Sequence, residues 1–140
     1  MVTDEELREI LSADTVAVVG CSTTPGKAAH DIPAYLQNHG YRVIPVNPFA
    51  DEILGETAYD SLADVPADAG VDVVDVFRPS EEAGDIAEAA VERHESVGDV
   101  GSVWLQLGIT NDDAKRRVRE ARLAFVQDKC MKVEHSRLLG

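Results

Sequence analysis

Apolar residues fall along this chain in five short runs, and between the runs they recur at helical spacing. The runs are Thr15–Val19, Tyr41–Val46, Val71–Phe77, Gly101–Gln106 and Leu123–Val126, rich in Val and bounded by turn residues. Short, near-continuous apolar runs predict strands buried on both faces, as in a parallel sheet. Ahead of the first run, Thr3 followed by Asp4, Glu5 and Glu6 predicts a capped helix start. Leu7, Ile10 and Leu11 continue it at helical spacing to about Ser12. A second helix is predicted from Lys27 to His39, with Ala28, Ala29, Ile32, Tyr35 and Leu36 facing inward and a stop at His39-Gly40. Pro33 in its middle predicts a kink or a restart. Ser80 is the expected cap of a third helix, with Ile86, Ala87, Ala90 and Val91 inward, and Asn111 the cap of a fourth over Asp112 to Arg122. In the long connection from Phe49 to Gly70, Ile53-Leu54-Gly55 reads as a turn and Ser61 to Pro66 as a short helix. The tail from Asp128 holds Lys129, Cys130, Lys132, Glu134 and His135, then a short terminal helix.

Strands alternating with helices predict an α/β fold, a Rossmann-type, doubly wound parallel sheet of five strands. There is no internal repeat and no linker, so residues 1–140 read as one domain. The expected strand order is 3-2-1-4-5, which puts a crevice between the first and fourth strands at their C-terminal ends.

Candidate chemistry gathers at those ends. Gly20 closes the first strand, and a loop of small residues, Cys21 to Thr24, leads through Pro25 and Gly26 toward Lys27. Gly20 permits a tight turn and close approach of a ligand, and the amides of a following helix start favour an anion such as a phosphate. The pattern is neither G-x-G-x-x-G nor a P-loop, since Lys27 is followed by Ala28. An ordinary strand-to-helix turn is the competing reading. At the end of the second strand, where a dinucleotide site normally carries an acid for the ribose, stands Asn47, followed by Pro48. An amide there tolerates an extra phosphate, which speaks against NAD; alternatively Asn47-Pro48 is only a turn. Arg78 closes the third strand and suits either phosphate or a surface pair with Glu81 or Glu82. Gln106 and Gly108 close the fourth.

Charge narrows the partners. With 13 Lys and Arg against 26 Asp and Glu, the net charge is −13. Nucleic acid needs a basic patch, so it is set aside. An acidic surface of this kind fits a halophilic cytoplasm, where salt screens self-repulsion, or simply an acidic protein. The absence of a long apolar run and the acidic start, Met1 to Ile10, predict a soluble cytoplasmic protein without a membrane segment. Two cysteines, Cys21 and Cys130, make no disulfide framework, and the expected strand order keeps them apart.

A catalytic apparatus is hard to assemble. Ser22 has no nucleophile elbow around it, and His30, His39, His94 and His135 show no metal spacing. His135 beside Glu134 reads as a local pair rather than a general base. Cys21 is either a thiol activated by a helix start or a small residue filling a tight loop. Trp104 reads as core, and Lys115, Arg116, Arg117 and Arg119 as a solvated face.

The stretches VAVVGCS with PGK, YLQNHGYRVIPVNP, EILGETAYDSLADVP, VDVVDVFRP, VWLQLGI and DKCMKVEH cover nearly the whole chain. In this series the chain resembles the small CoA-binding-domain proteins, stand-alone relatives of the CoA-binding domain of the succinyl-CoA synthetase alpha subunit. The resemblance implies a Rossmann-type fold that binds coenzyme A or an acyl-CoA. By position it implies a phosphate loop at Gly20, Cys21 and Ser22 with Lys27 near the phosphates. Further contacts fall at Asn47 and Pro48, at Phe77, Arg78 and Pro79, and at Gln106 and Gly108. Cys21 stands where the family often has Ala. The ligase's phosphohistidine lies in a domain this chain lacks, so ligase activity is not implied. The expected function is a CoA-binding module without catalysis of its own: a carrier, a sensor or a subunit of a larger enzyme. The alternatives are an NAD(P)-binding redox sensor or reductase, with NADP less disfavoured than NAD, and an interaction protein with an empty crevice. A homo-oligomer or a partner enzyme subunit stays open, with the first helix and the C-terminal tail as candidate contacts.

Overall fold

The structure, a computed structural model, describes residues 2–140. In chain order its strands are β1 (Thr15–Val19), β2 (Arg42–Val46), β3 (Glu52–Ile53), β4 (Glu56–Thr57), β5 (Val73–Val76), β6 (Ser102–Leu105) and β7 (Ala124–Val126). The helices are α1 (Asp4–Leu11), α2 (Ala28–Asn38), α3 (Ser80–Val97), α4 (Asp112–Glu120) and α5 (Met131–Leu138), with a 3-10 turn at Leu62–Asp64. Five strands form one parallel sheet, and β3 and β4 form a separate antiparallel hairpin turned by Leu54 and Gly55, both at positive φ.

Because side chains alternate across a strand, each strand supplies both layers. Val16, Val18, Val43, Val73, Trp104 and Val126 point to one face, covered by Leu7, Ile10 and Leu11 of α1, Leu36 of α2 and Met131 of α5. Ala17, Ile44, Val46, Val74, Val76, Val103, Leu105 and Phe125 point to the other. There they meet Leu62 and Val65, the small face Ala83, Ala87 and Ala90 of α3, and Ala114 and Val118 of α4. Burying each Val or Leu contributes about 1.5–3 kcal/mol, so both layers stabilise the sheet.

The α/β sheet matches expectation, but the strand order does not. It is β2-β1-β5-β6-β7, or 2-1-3-4-5 counted over the five sheet strands, not 3-2-1-4-5. The reason is Pro45. In β2 the carbonyl of Val46 faces β1 and accepts from Gly20, while Pro45 faces away. Its outward side has no N–H, so a full strand beyond β2 would lose a ladder bond, and Pro keeps β2 at the edge. Among the described residues one pairs there: Tyr59 donates to the Pro45 carbonyl and accepts from the Asn47 amide. The third strand therefore crosses β1 and pairs on its other side, Val16 to Val73 through Val19 to Val76.

Smaller differences follow from local chemistry. Ser80 lies inside α3, with Pro79 at its N-cap, and its hydroxyl accepts from the Thr110 amide instead. α2 runs through Pro33 without a restart, and Ala28 is exposed. α5 begins at Met131, so Glu134 and His135 lie within it. Glu134 pairs with Arg137 and Lys129, whereas His135 meets the Tyr35 hydroxyl at 2.8 Å, so the expected His135–Glu134 pair does not form. Burial and the nearby His39 hold the His135 pKa below its usual value. Within the basic cluster of α4, Arg117 binds Glu88 and Glu95 and Arg116 binds Asp113 and Glu120, while Lys115 and Arg119 join no ion pair among the described residues. α1 and the tail helix, the two candidate contact surfaces, are tied to each other by Arg137 and Asp4 at 2.8 Å.

Candidate ligand-binding site

The order 2-1-3-4-5 moves the switch point to the gap between β1 and β5, where connections leave in opposite directions. Gly20 stands there at φ +89, and a Cβ on it would lie 2.8 Å from the Arg78 Cδ and 3.0 Å from the Phe77 carbonyl oxygen. Only glycine suits both the backbone angle and the space, because the Arg78 side chain lies across this residue. Backbone bonds Gly20 to Val46 and Phe77 to Val19 extend both pairings to the loop itself.

Four hydrogen bonds hold the loop after Gly20. Pro33 has no N–H, so within α2 the carbonyl of Ala29 lacks its helical donor. The Ser22 amide takes that place at 2.9 Å. The Ser22 hydroxyl accepts from the Thr24 amide, and Asp31 accepts from the Gly26 amide. Asn47 donates Nδ2 to the Cys21 carbonyl at 2.9 Å and accepts from the Phe49 amide at 2.7 Å, so it ties the first loop to the second. Asn47 thus acts as a turn former, and it also lines the cavity.

That cavity, about 410 Å³, opens beside Gly20 and is lined by Val19, Val46, Asn47, Pro48, Phe49, Leu62, Ile86 and Ala89, with Asp60, Ser61, Arg78, Glu82 and Asp85 as its polar groups. Pinning of Tyr59 to β2 brings Asp60, Ser61 and Leu62 to it. Phe49 is 95% exposed at the rim. Arg78 binds both carboxylate oxygens of Glu82, at 2.9 and 3.2 Å, and is half exposed. It is therefore held in place while still facing the cavity.

Of the eleven expected site residues, Gly20, Asn47, Pro48 and Arg78 line this cavity. Ser22 and Cys21 lie in the loop beside it, and Lys27 is exposed at the N-cap of α2, with no ion pair among the described residues. Phe77 packs partly into the core under α1, α2 and α5, and Pro79 caps α3. Gln106 and Gly108 stand one strand beyond the switch point. Gln106 is buried against Asp75, and the Gly108 amide donates to Asp128.

Cys21 is buried, and its thiol is pushed up to about 12, first by burial and then by the nearby Asp75. α2 starts only at Ala28, so no helix terminus lowers it. The activated-thiol reading is overturned; Cys21 is a small residue filling the loop. Both cysteines are free.

Sequence reasoning passed over Phe49, Asp60, Asp85 and Asp75. The first three sit in a long connection or on a helix face and show only once the chain is folded. Asp75 had a visible mark, a carboxylate in the middle of Val73–Val76. It is wholly buried, with burial raising its pKa to about 7 against the opposing Gln106 hydrogen bond.

The profile of the CoA binding domain family matches residues 14–136. The uncharacterized protein YneT of Bacillus subtilis is 37% identical over 132 residues, spanning 94% of this chain and 93% of that protein. The structure of cell-free ID.343 from Thermus thermophilus is 41% identical, with a TM-score of 0.89 over 99% of this chain and 100% of that one. The ADP-forming acetate–CoA ligase II of Archaeoglobus fulgidus is 31% identical over 126 residues, which span 89% of this chain but 18% of the ligase.

Proposed function

The chain belongs to the CoA-binding domain family, and from that membership we propose that it binds coenzyme A or an acyl-CoA in the crevice at the β1–β5 switch point, as a binding module without catalysis of its own. The observation that carries the reading is the cavity continuous with the Gly20 loop. Its walls are apolar, and its carboxylates, Asp60, Glu82 and Asp85, outnumber its one cation, Arg78. Phosphates would be repelled inside it, whereas a purine base would bury its rings against Val19, Leu62 and Ile86 and offer its amino group to a carboxylate. The pyrophosphate would then lie outside, along the loop from Gly20 toward Lys27 and beside the free edge of Arg78. Family members occur both as stand-alone chains and within a larger acetate–CoA ligase, which fits a module that works alone or beside a catalytic subunit.

Thermal unfolding in high-salt buffer with CoA, acetyl-CoA, NAD and NADP added separately tests this. A ligand bound only by the folded state stabilises it by about 2.7 kcal/mol at 100 times its Kd. CoA species alone should raise Tm, by several degrees. Lys27→Ala and Arg78→Ala should weaken that shift with the fold retained. A shift with NADP or NAD and none with CoA would replace this reading with a redox one.

A further inference from the structure

We propose that Asp75 couples the binding of an anionic ligand on the Gly20–Ser22 loop to the uptake of one proton from solvent at its Oδ2. The proposal rests on the ligand reading above and adds a regulatory property to the same site. Asp75 is fully buried, its Oδ1 accepts from Gln106 Nε2 at 2.7 Å, and its Oδ2 has no partner among the described residues. A buried carboxylate oxygen left bare is costly, and a proton placed there removes the charge.

Its place in the fold makes that charge matter to the loop. Asp75 pairs in register with Val18, two residues before Gly20, and its charge is felt by the Cys21 thiol in the loop. Asp75 joins no ion pair among the described residues, and its neighbour Gln106 is neutral, with Oε1 facing the Met131 amide of α5. Of the titratable groups on the helices of this face, Arg8 of α1 and Lys132 of α5 are exposed, and the buried or bonded ones have partners of their own. Glu134 binds Arg137 and Lys129, Asp4 binds Arg137, His135 meets Tyr35, and His39 Nδ1 meets the Tyr35 carbonyl. On the β6 side the Trp104 indole donates to the Lys129 carbonyl. The Cys21 thiol is itself neutral in this range.

In the empty protein Asp75 titrates at about 7. A pyrophosphate brought over the loop adds negative charge above it and raises that value further. Below pH 7 the acid is protonated in both states and binding is strongest. As pH rises above 7 the empty protein releases the proton first, so binding must take it back, and affinity falls.

Calorimetric titration of the whole protein at pH 6, 7 and 8, in two buffers of different ionisation enthalpy, reads the proton count directly. CoA and dephospho-CoA are both used, because a phosphate monoester titrates near pH 6 on its own and dephospho-CoA lacks one. The expected result is uptake of up to one proton per dephospho-CoA, greatest just above pH 7, with affinity falling by up to tenfold per pH unit there. Asp75→Asn, which mimics the neutral acid, should bind without uptake and with flat affinity from pH 6 to 8. Should that variant not fold, the wild-type buffer comparison decides alone. Dephospho-CoA binding without uptake overturns the proposal and leaves the ligand reading standing, as does uptake that persists in Asp75→Asn. No binding of either compound at any of the three pH values overturns the ligand reading and the proposal with it.

Discussion

At the scale of single residues, the site is a set of side chains serving the chain and the crevice together. Asn47 spends its amide on Cys21 and Phe49, and Arg78 spends part of its guanidinium on Glu82. Such preorganisation lowers the ordering cost of binding. Asp75 carries a cost of the opposite kind, and its sign is fixed by its raised pKa. The unfolded carboxyl ionises near 4 and the folded one near 7, so between those values the folded state binds the extra proton. Wild-type stability therefore falls as pH rises from 4 to 7, by at most about 1.4 kcal/mol per pH unit, and this contribution is constant above 7. Asp75→Asn removes that loss. The Tm difference between variant and wild type should grow in favour of the variant from pH 4 to 7 and then level off. A difference independent of pH would show that Asp75 keeps an ordinary acidity. Of these residues, Asn47 and Arg78 were legible in the sequence because strand ends are where ligands meet a parallel sheet. Asp75 showed only as an acid inside an apolar strand; its burial and bare oxygen are properties of neighbours that the sequence does not identify.

At the scale of elements, two prolines and one arginine set the geometry. Pro45 keeps β2 at the edge, and Pro33 frees the carbonyl that anchors Ser22. Arg93, 6% exposed in α3, fastens the cavity wall: it pairs with Asp99 at 3.0 Å and donates to the carbonyls of Leu62, Val65 and Pro66. Asp99 in turn accepts from the Val71 amide ahead of β5. Removing one partner of a buried pair leaves the other charge uncompensated, typically at a cost of about 3–5 kcal/mol. Arg93→Met should lose roughly 3 kcal/mol in urea unfolding. It should also lower CoA affinity, since the wall bearing Ser61 and Leu62 is no longer clamped. Full stability in that variant would mean that apolar packing alone holds the segment. The helices and strands themselves were legible from spacing and caps: Thr3 and Asn111 cap as their residue types predict. Ser80 does not, because Pro79 already supplies the extended backbone before α3 and the hydroxyl is drawn to Thr110.

At the scale of the whole molecule, a net charge of −13 opposes an anionic ligand at long range. On the proposed reading, affinity would come from Lys27 and Arg78 at close range, while the distant acids repel. Salt at about 0.1 M screens charges beyond about 10 Å and spares the close contacts. CoA affinity should accordingly hold or rise as salt increases moderately, as read by titration at several salt concentrations. A steep fall would mean that long-range attraction dominates. The same acidity predicts loss of structure at low salt if the surface is adapted to a saline interior, and circular dichroism on dilution tests it. No helix among the described residues is long and apolar enough to cross a membrane.

The sequence by itself determined the alternation of strands and helices, the two-sided burial of the sheet and the small-residue turn at Gly20, because these follow from local spacing and from one residue's backbone freedom. The order of the strands showed only in the tertiary structure: Pro45 marks β2 as an edge, but which strand takes the other side of β1 turns on hydrogen bonds between segments far apart in the chain. From that order came the rest: Arg78 against Gly20, a cavity walled by Asp60 and Asp85, Gln106 withdrawn behind Asp75, and a buried carboxyl with no ion pair among the described residues.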